Sequence, residues 1–151
     1  MSDDSIPEGY TPLVPGGPWL AHAGPIYQRP APDGGVIMAV RVGPHHTNMR
    51  GIAHGGMLVT LADSALGRNL HLTRKPSEPM VSVNLSTDFL GSARVGDWLE
   101  AHVEIRKHGA RLSFAECQLR VGDHVVVRSS GVFAVVGPVA KPAVNKEVPE
   151  G

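Results

Sequence analysis

A proline-free stretch at residues 54–72 is the only long segment of this chain with the periodicity of a helix. It reads HGGMLVTLADSALGRNLHL, in a chain of 151 residues that carries 13 prolines and 18 glycines. In a helical projection each residue is rotated by about 100° from the one before it, and Met57 is set at 0°. The apolar side chains then spread over an arc of about 220°. That arc is about twice the stripe of a helix with one buried face. We therefore expect two covers, a sheet on one side and a second subunit on the other.

The segments around this helix alternate apolar and polar side chains, as half-buried strands do. We predict strands at residues 35–42, 80–90, 97–109, 110–121 and 124–136, the last two joined by a Gly-Asp turn. One helix with an antiparallel sheet is an α+β fold. Because only one long helix is available to cover the sheet, we expect the sheet to curl around it.

Proline and glycine divide the rest of the chain. Residues 1–34 are rich in both, which predicts an irregular N-terminal arm, pinned to the body through apolar side chains such as Trp19 and Tyr27. Residues 35–136 form the predicted structured domain. Residues 137–151 are predicted to be a disordered C-terminal tail.

Composition excludes several classes of partner. The formal net charge is zero, which argues against a nucleic-acid surface, and no Lys/Arg cluster suggests a membrane patch. Cys117 is the single cysteine and cannot form an internal disulfide, so we expect a reducing, cytoplasmic location and an inert core thiol. The acidic N-terminus does not resemble a signal peptide, and no apolar run approaches a membrane span.

Two features of the helix point to chemistry. Asp63 is the single acid in its apolar stretch and falls at the edge of the apolar arc, where we expect partial desolvation to raise its pKa towards that of a general base. Gly55 and Gly56, at the helix start, leave the first backbone N–H groups unshielded. Those donors suit an oxygen that becomes negative during a reaction, or any bound anion.

These two features lie too far apart to act together within one chain. Gly55 and Asp63 are separated by about 12 Å along a helix. An attacking group and an oxyanion donor must both lie near the same reacting carbon. Two antiparallel helices across a two-fold axis satisfy this requirement, so the spacing predicts a homodimer with two equivalent sites.

The motif around the helix start resembles a known family. Asn48, Gly51, the HGG at 54–56 and TLADSALG at 60–67 are together similar to the hotdog-fold acyl-CoA thioesterases, above all the phenylacetic-acid-degradation (PaaI-like) branch. The strands over residues 82–133 resemble the same family. The resemblance implies a sheet wrapped around the helix, a dimer with a continuous sheet, often a dimer of dimers, an acyl-CoA substrate and no cofactor. One departure is that NMRG replaces the commoner Asn-Pro loop start.

The resemblance also implies roles for individual residues. Asp63 acts as general base or nucleophile, and Gly55 supplies the oxyanion donor. Asn48 holds the water or the thioester carbonyl, and His54 braces the loop. Further substrate contacts are expected from Gly56, Thr60, Gly67 and Ser82, and contacts to the CoA phosphates from Arg106, Lys107, Arg111 and Arg128.

Other interpretations remain open at this stage. A hotdog-fold hydratase acting on enoyl or hydroxyacyl thioesters would use His54 as a proton carrier, and a non-catalytic acyl-CoA binding protein would not need Asp63. The basic residues equally fit a solvated sheet edge. His45, His46 and His54 match no zinc spacing, so no metal is predicted. The sequence leaves the acyl group undetermined.

Overall fold

Seven antiparallel strands form one sheet around a single long helix. The computed structural model describes residues 4–14 and 16–137. The strands lie in the order β1-β2-β3-β5-β6-β7-β4. Their bounds are β1 Thr11–Pro12, β2 Ile26–Pro30, β3 Val36–Arg41, β4 Met80–Phe89, β5 Trp98–His108, β6 Leu112–Val121 and β7 His124–Val135. The helices are α1 Pro18–Ala23 and α2 Gly55–Thr73, and a 3₁₀ turn spans Pro44–His46.

Helix α2 packs its apolar face into the curve of the sheet. Its fully buried side chains are Leu58, Leu61, Ala62, Ala65, Leu66, Asn69 and Leu70. They belong to the same core as residues of β3, β5, β6 and β7. Val59 and Asp63, at the edge of this face, stay half-buried. The predicted α+β architecture, with the sheet wrapped around one helix, is confirmed, and α2 and β3 to β7 begin and end within about two residues of their predicted bounds.

Buried polar groups tie α2 to the sheet. The Asn69 amide donates to Val36 O at 3.0 Å and to Ala65 O at 2.8 Å, while its Oδ1 accepts from Val36 N at 2.9 Å. This exchange fixes α2 against the start of β3. Cys117 faces the core from β6, and burial raises the pKa of its thiol to about 12, so the thiol stays protonated.

The prediction of an irregular arm over residues 1–34 needs correction, because β1, α1 and β2 lie within it. Its prolines stand where regular elements tolerate them. Pro18 begins α1, where the missing N–H would have no partner, Pro12 lies on the edge strand and Pro30 ends β2. The predicted tail, 137–151, lies outside the described residues except for Gly137. The division of the chain into domains stays a prediction.

Aromatic and charged side chains hold the arm on the outer face of the sheet. Tyr10 packs edge-on against Trp98 with ring centroids 5.0 Å apart, and its hydroxyl donates to Glu100. Burial, and then the bond to Glu100, raise the pKa of Tyr10 to about 12. The Arg41 guanidinium lies 4.9 Å from the centre of the Trp98 ring.

One edge of the sheet, strand β4, has no neighbouring strand among the described residues. β4 pairs with β7 on one side only. Large apolar side chains on and just after β4 are exposed, namely Val81, Val83, Phe89 and Leu90. No helix in the described part of the chain is long and apolar enough to cross a membrane.

Candidate active site

The loop before α2 is shaped by a tight turn at Asn48. Asn48 N donates to Ile52 O and Gly51 N donates to Asn48 O, both at 2.9 Å. Gly51 has φ of +75°, which a side chain would disfavour. Asn48 Oδ1 accepts from Arg50 N at 2.9 Å. Within the described residues the Asn48 Nδ2 amide has no acceptor, so its two donors are left for a ligand.

His54 caps the start of α2. Its Nδ1 accepts from Gly56 N at 2.8 Å, and its own backbone N–H donates to His46 O at 2.8 Å. An Nδ1 atom that accepts carries no proton, so in this arrangement the ring proton is on Nε2. The geometry fits a residue that braces the loop.

The first N–H of α2 is free. Gly56 N is occupied by His54, whereas Gly55 N has no acceptor among the described residues. The Phe89 ring lies beside Gly55, because a Cβ built there would stand 3.4 Å from the ring. A free N–H at the positive end of the helix dipole can stabilise a developing negative oxygen.

Asp63 carries a buried oxygen without a partner. The side chain is half-buried, and Oδ1 is buried with no hydrogen bond within the described part of the chain. Buried carboxylate oxygens in folded proteins almost always have a donor. Asp63 lies about 12 Å along the helix from Gly55, so one chain does not bring the two groups together.

A cavity of about 450 Å³ opens beside the start of α2. Of the predicted site residues, His54, Gly56 and Thr60 line it. The remaining lining residues are Trp19, His22, Ala23, His45, His46, Thr47 and Met57. Asn48, Gly55 and Asp63 are not among them.

The other predicted binding residues lie elsewhere. Ser82 is exposed on the edge strand β4, and a Cβ at Gly67 would come within 3.2 Å of Phe133. Arg106 pairs with Glu104 at 3.0 Å and with Glu116 at 2.6 Å.

Arg128 is likewise paired, with Asp88 at 2.9 Å. Lys107 and Arg111 are exposed and make no ion pair among the described residues. None of the four basic residues lines the cavity at the helix start. Sequence alone does not show the pairs that Arg106 makes with Glu116 and Arg128 makes with Asp88, because each of those partners lies on a neighbouring strand.

The sequence did not indicate that α1 borders the site. Trp19 Nε1 donates to Thr60 Oγ1 at 3.2 Å, and Thr60 Oγ1 donates to Gly56 O at 3.0 Å. The available signal was Pro18, a residue favoured in a first helical turn, followed by apolar Trp19 and Leu20. In the described part of the chain, no group of three or more His, Cys, Asp or Glu residues is placed to hold a metal ion.

The antiparallel sheet wrapped around one long helix is the arrangement of the hotdog fold. Residues 50–128 match the family model described as Thioesterase superfamily. A protein of Pseudomonas aeruginosa named "Putative esterase PA0474" is 44% identical over 129 residues, which cover 85% of this chain and 96% of that protein. The chain belongs to the thioesterase superfamily.

Two further relatives agree with this assignment. Acyl-coenzyme A thioesterase 13 of Mus musculus is 33% identical over 84 residues, which cover 56% of this chain and 59% of that protein. The Escherichia coli PaaI protein, from the phenylacetic acid degradation operon, has a TM-score of 0.71 at 22% identity, over 80% of this chain and 86% of that chain. The hotdog fold is confirmed, and the likeness to the PaaI protein is a likeness of fold.

Proposed function

We propose that this protein is an acyl-CoA thioesterase that hydrolyses a thioester to a free acid and CoA. The observation that carries the proposal is the buried, unpartnered Oδ1 of Asp63 in a chain that also leaves Gly55 N–H free. Membership of the thioesterase superfamily and the name of the mouse relative support the substrate class.

In the proposed reaction Asp63 takes a proton from water while the water oxygen attacks the thioester carbon. The carbonyl oxygen becomes negative and accepts from the N–H of Gly55 of the partner subunit. The C–S bond then breaks, and the CoA sulfur leaves as a thiolate that takes up a proton. In the alternative course Asp63 attacks first, and water hydrolyses the resulting anhydride.

Neighbouring residues complete the proposed site. The free amide of Asn48 donates to the carbonyl or holds the water, and His54 braces the loop. Lys107 and Arg111 are the readier contacts for the CoA phosphates, because Arg106 and Arg128 are already paired with carboxylates. Gly67 and Ser82 remain proposed substrate contacts. No resident cofactor is proposed.

The proposal requires a homodimer, and two features support one. β4 offers an unpaired sheet edge with exposed Val81 and Val83, a feature that monomeric proteins usually protect. Half-buried Val59 and Asp63 on α2 leave room for a second helix. A dimer of dimers and a cytoplasmic location belong to the same proposal.

Free-thiol release from a panel of acyl-CoAs tests the function directly. We expect the wild type to release CoA, and Asp63→Ala and Asp63→Asn to lose about 10²–10⁴-fold in kcat, because both remove the base. Ser64→Ala, at the adjacent half-buried position, is the matched control and keeps wild-type activity. An active Asp63→Ala variant would contradict the assignment. Ligand binding without thiol release would favour a hydratase or a binding protein.

A further inference from the structure

We infer that α1 forms the outer wall of the acyl pocket and that Trp19 sets the size of the acyl group that this pocket accepts. The inference rests on the proposed function. It concerns the cavity beside the helix start, in which α1 contributes Trp19, His22 and Ala23 to the lining.

Helix α1 is hydrogen-bonded to the first turns of α2, the helix that begins with the proposed oxyanion donor, the N–H of Gly55. Trp19 Nε1 donates to Thr60 Oγ1 at 3.2 Å, and Thr60 Oγ1 donates to Gly56 O at 3.0 Å. Gly56 follows Gly55, whose free N–H is the proposed contact of the thioester oxygen. Gly55 itself does not line the cavity, but its two chain neighbours, His54 and Gly56, do. An acyl chain attached to a carbonyl at the Gly55 N–H therefore starts next to the cavity that Trp19 lines.

The end of α1 is fixed, whereas Trp19 is not buried. His46 Nε2 lies 2.6 Å from Ala23 O, and His45 Nε2 lies 2.9 Å from Gly24 O. Trp19 is 66% exposed, and its hydrogen bond to Thr60 orients its ring. Because most of the Trp19 ring is exposed, it contributes little to the core. Because the ring is oriented, it shapes the cavity beside the start of α2.

The lining defines the chemistry of the acyl group. Among the described residues that line the cavity there is no carboxylate, lysine or arginine. The lining also includes four histidines, His22, His45, His46 and His54. Three of them already bond backbone groups through a ring nitrogen. An acyl group with a charged end would therefore lose water there without gaining a permanently charged counter-ion, which is costly. The structure thus assigns the pocket to an uncharged acyl group.

The inner end of the cavity limits the length of the acyl group that the pocket can hold. Ala23, Met57 and Thr60 also line a gap of about 10 Å³ whose other walls are Ile26, Val40 and Leu61. This gap has room for about one water molecule at most, and so none for an acyl chain. A longer chain cannot continue into the core there and meets Trp19 instead.

The test is a profile of kcat/KM for saturated straight-chain acyl-CoAs of two to sixteen carbons. We expect a wild-type optimum with a fall at longer chains. In Trp19→Ala, the ratio of kcat/KM beyond the optimum to kcat/KM at the optimum should rise about tenfold or more, because one methylene in an apolar pocket changes specificity by that order. Trp19→Phe keeps a ring and should stay near the wild-type ratio.

Val14→Ala is the matched control, because Val14 is exposed on the same arm and does not line the cavity. Its profile should equal that of the wild type. Absence of thiol release from every acyl-CoA by the wild type would overturn the proposed function, and this inference with it. Thiol release with the same profile in Trp19→Ala would overturn the inference alone. Equal rates for succinyl-CoA and butyryl-CoA would contradict the uncharged acyl group.

Discussion

Asp63 and Gly55 each carry a polar group that has no hydrogen-bond partner among the described residues. A buried polar atom without a partner costs about 1–3 kcal/mol. The Asp63 Oδ1 atom is such an atom, and the Gly55 N–H is the corresponding donor at a helix start. Neither residue belongs to the buried set of side chains that holds α2 on the sheet. The two groups are therefore better explained by a ligand or a second subunit than by folding.

Substitutions of His54 distinguish a residue that braces the loop from one that transfers protons. Asparagine is a favourable helix N-cap, so His54→Asn can still accept from Gly56 N. If His54 only braces the loop, we expect His54→Asn to keep kcat within about threefold. His54→Ala should lose the cap and about 0.5–2 kcal/mol of unfolding free energy. Thiol release and thermal melting measure both effects. A loss of about 10²-fold or more in folded His54→Asn would instead indicate a proton carrier.

At the scale of elements, alternation and periodicity located the helix and the five longest strands but not the N-terminal elements. Strands β3 to β7 and α2 carry patterns that a local window detects. β2 is a five-residue strand that ends in Pro30, and α1 has only six residues. A short helix or strand with proline at a tolerated edge position has a sequence that resembles that of a loop. The bond between Trp19 and Thr60 joins residues far apart in sequence, so the wall of the cavity was not predictable from local pattern.

His46, in the loop that joins β3 to α2, should make the free energy of unfolding depend on pH. Burial lowers the pKa of His46 below its usual 6.5. His46 Nδ1 accepts from Gly43 N at 2.9 Å, a contact that a proton on Nδ1 would break. Because the unfolded chain binds that proton more readily, stability is full above about pH 6.5 and falls as the pH drops towards the lowered value.

Melting temperatures of wild type and His46→Gln from about pH 5 to about pH 8 measure this effect. We expect the wild type to lose more stability on acidification than the variant. His108 also has a lowered pKa, from burial and then from the nearby Arg74, but it is present in both proteins. Parallel curves for the two proteins would contradict the role of His46.

At the scale of the whole molecule, the proposed site takes Gly55 from one subunit and Asp63 from the other. Mixing subunits of two inactive variants therefore tests whether a site is shared. Gly55→Pro removes one N–H and little else. Proline is tolerated at a first helical position, and the preceding His54 already has the extended backbone that proline requires, with φ −64° and ψ 136°. A Cβ at Gly55 meets Phe89 at an ordinary contact distance of 3.4 Å. We therefore expect Gly55→Pro to fold and to be inactive, as Asp63→Ala is.

Mixing these two inactive proteins should restore activity if each site uses both subunits. After denaturation and refolding at equal concentration, half of the dimers are mixed, and one of the two sites in each mixed dimer has both Gly55 and Asp63 intact. We expect about one quarter of wild-type thiol release per chain. If Gly55 and Asp63 of the same chain formed a site, every site in every dimer would lack one of them. An inactive mixture, shown by light scattering to be dimeric, would therefore place the site within one chain and overturn the shared-site mechanism.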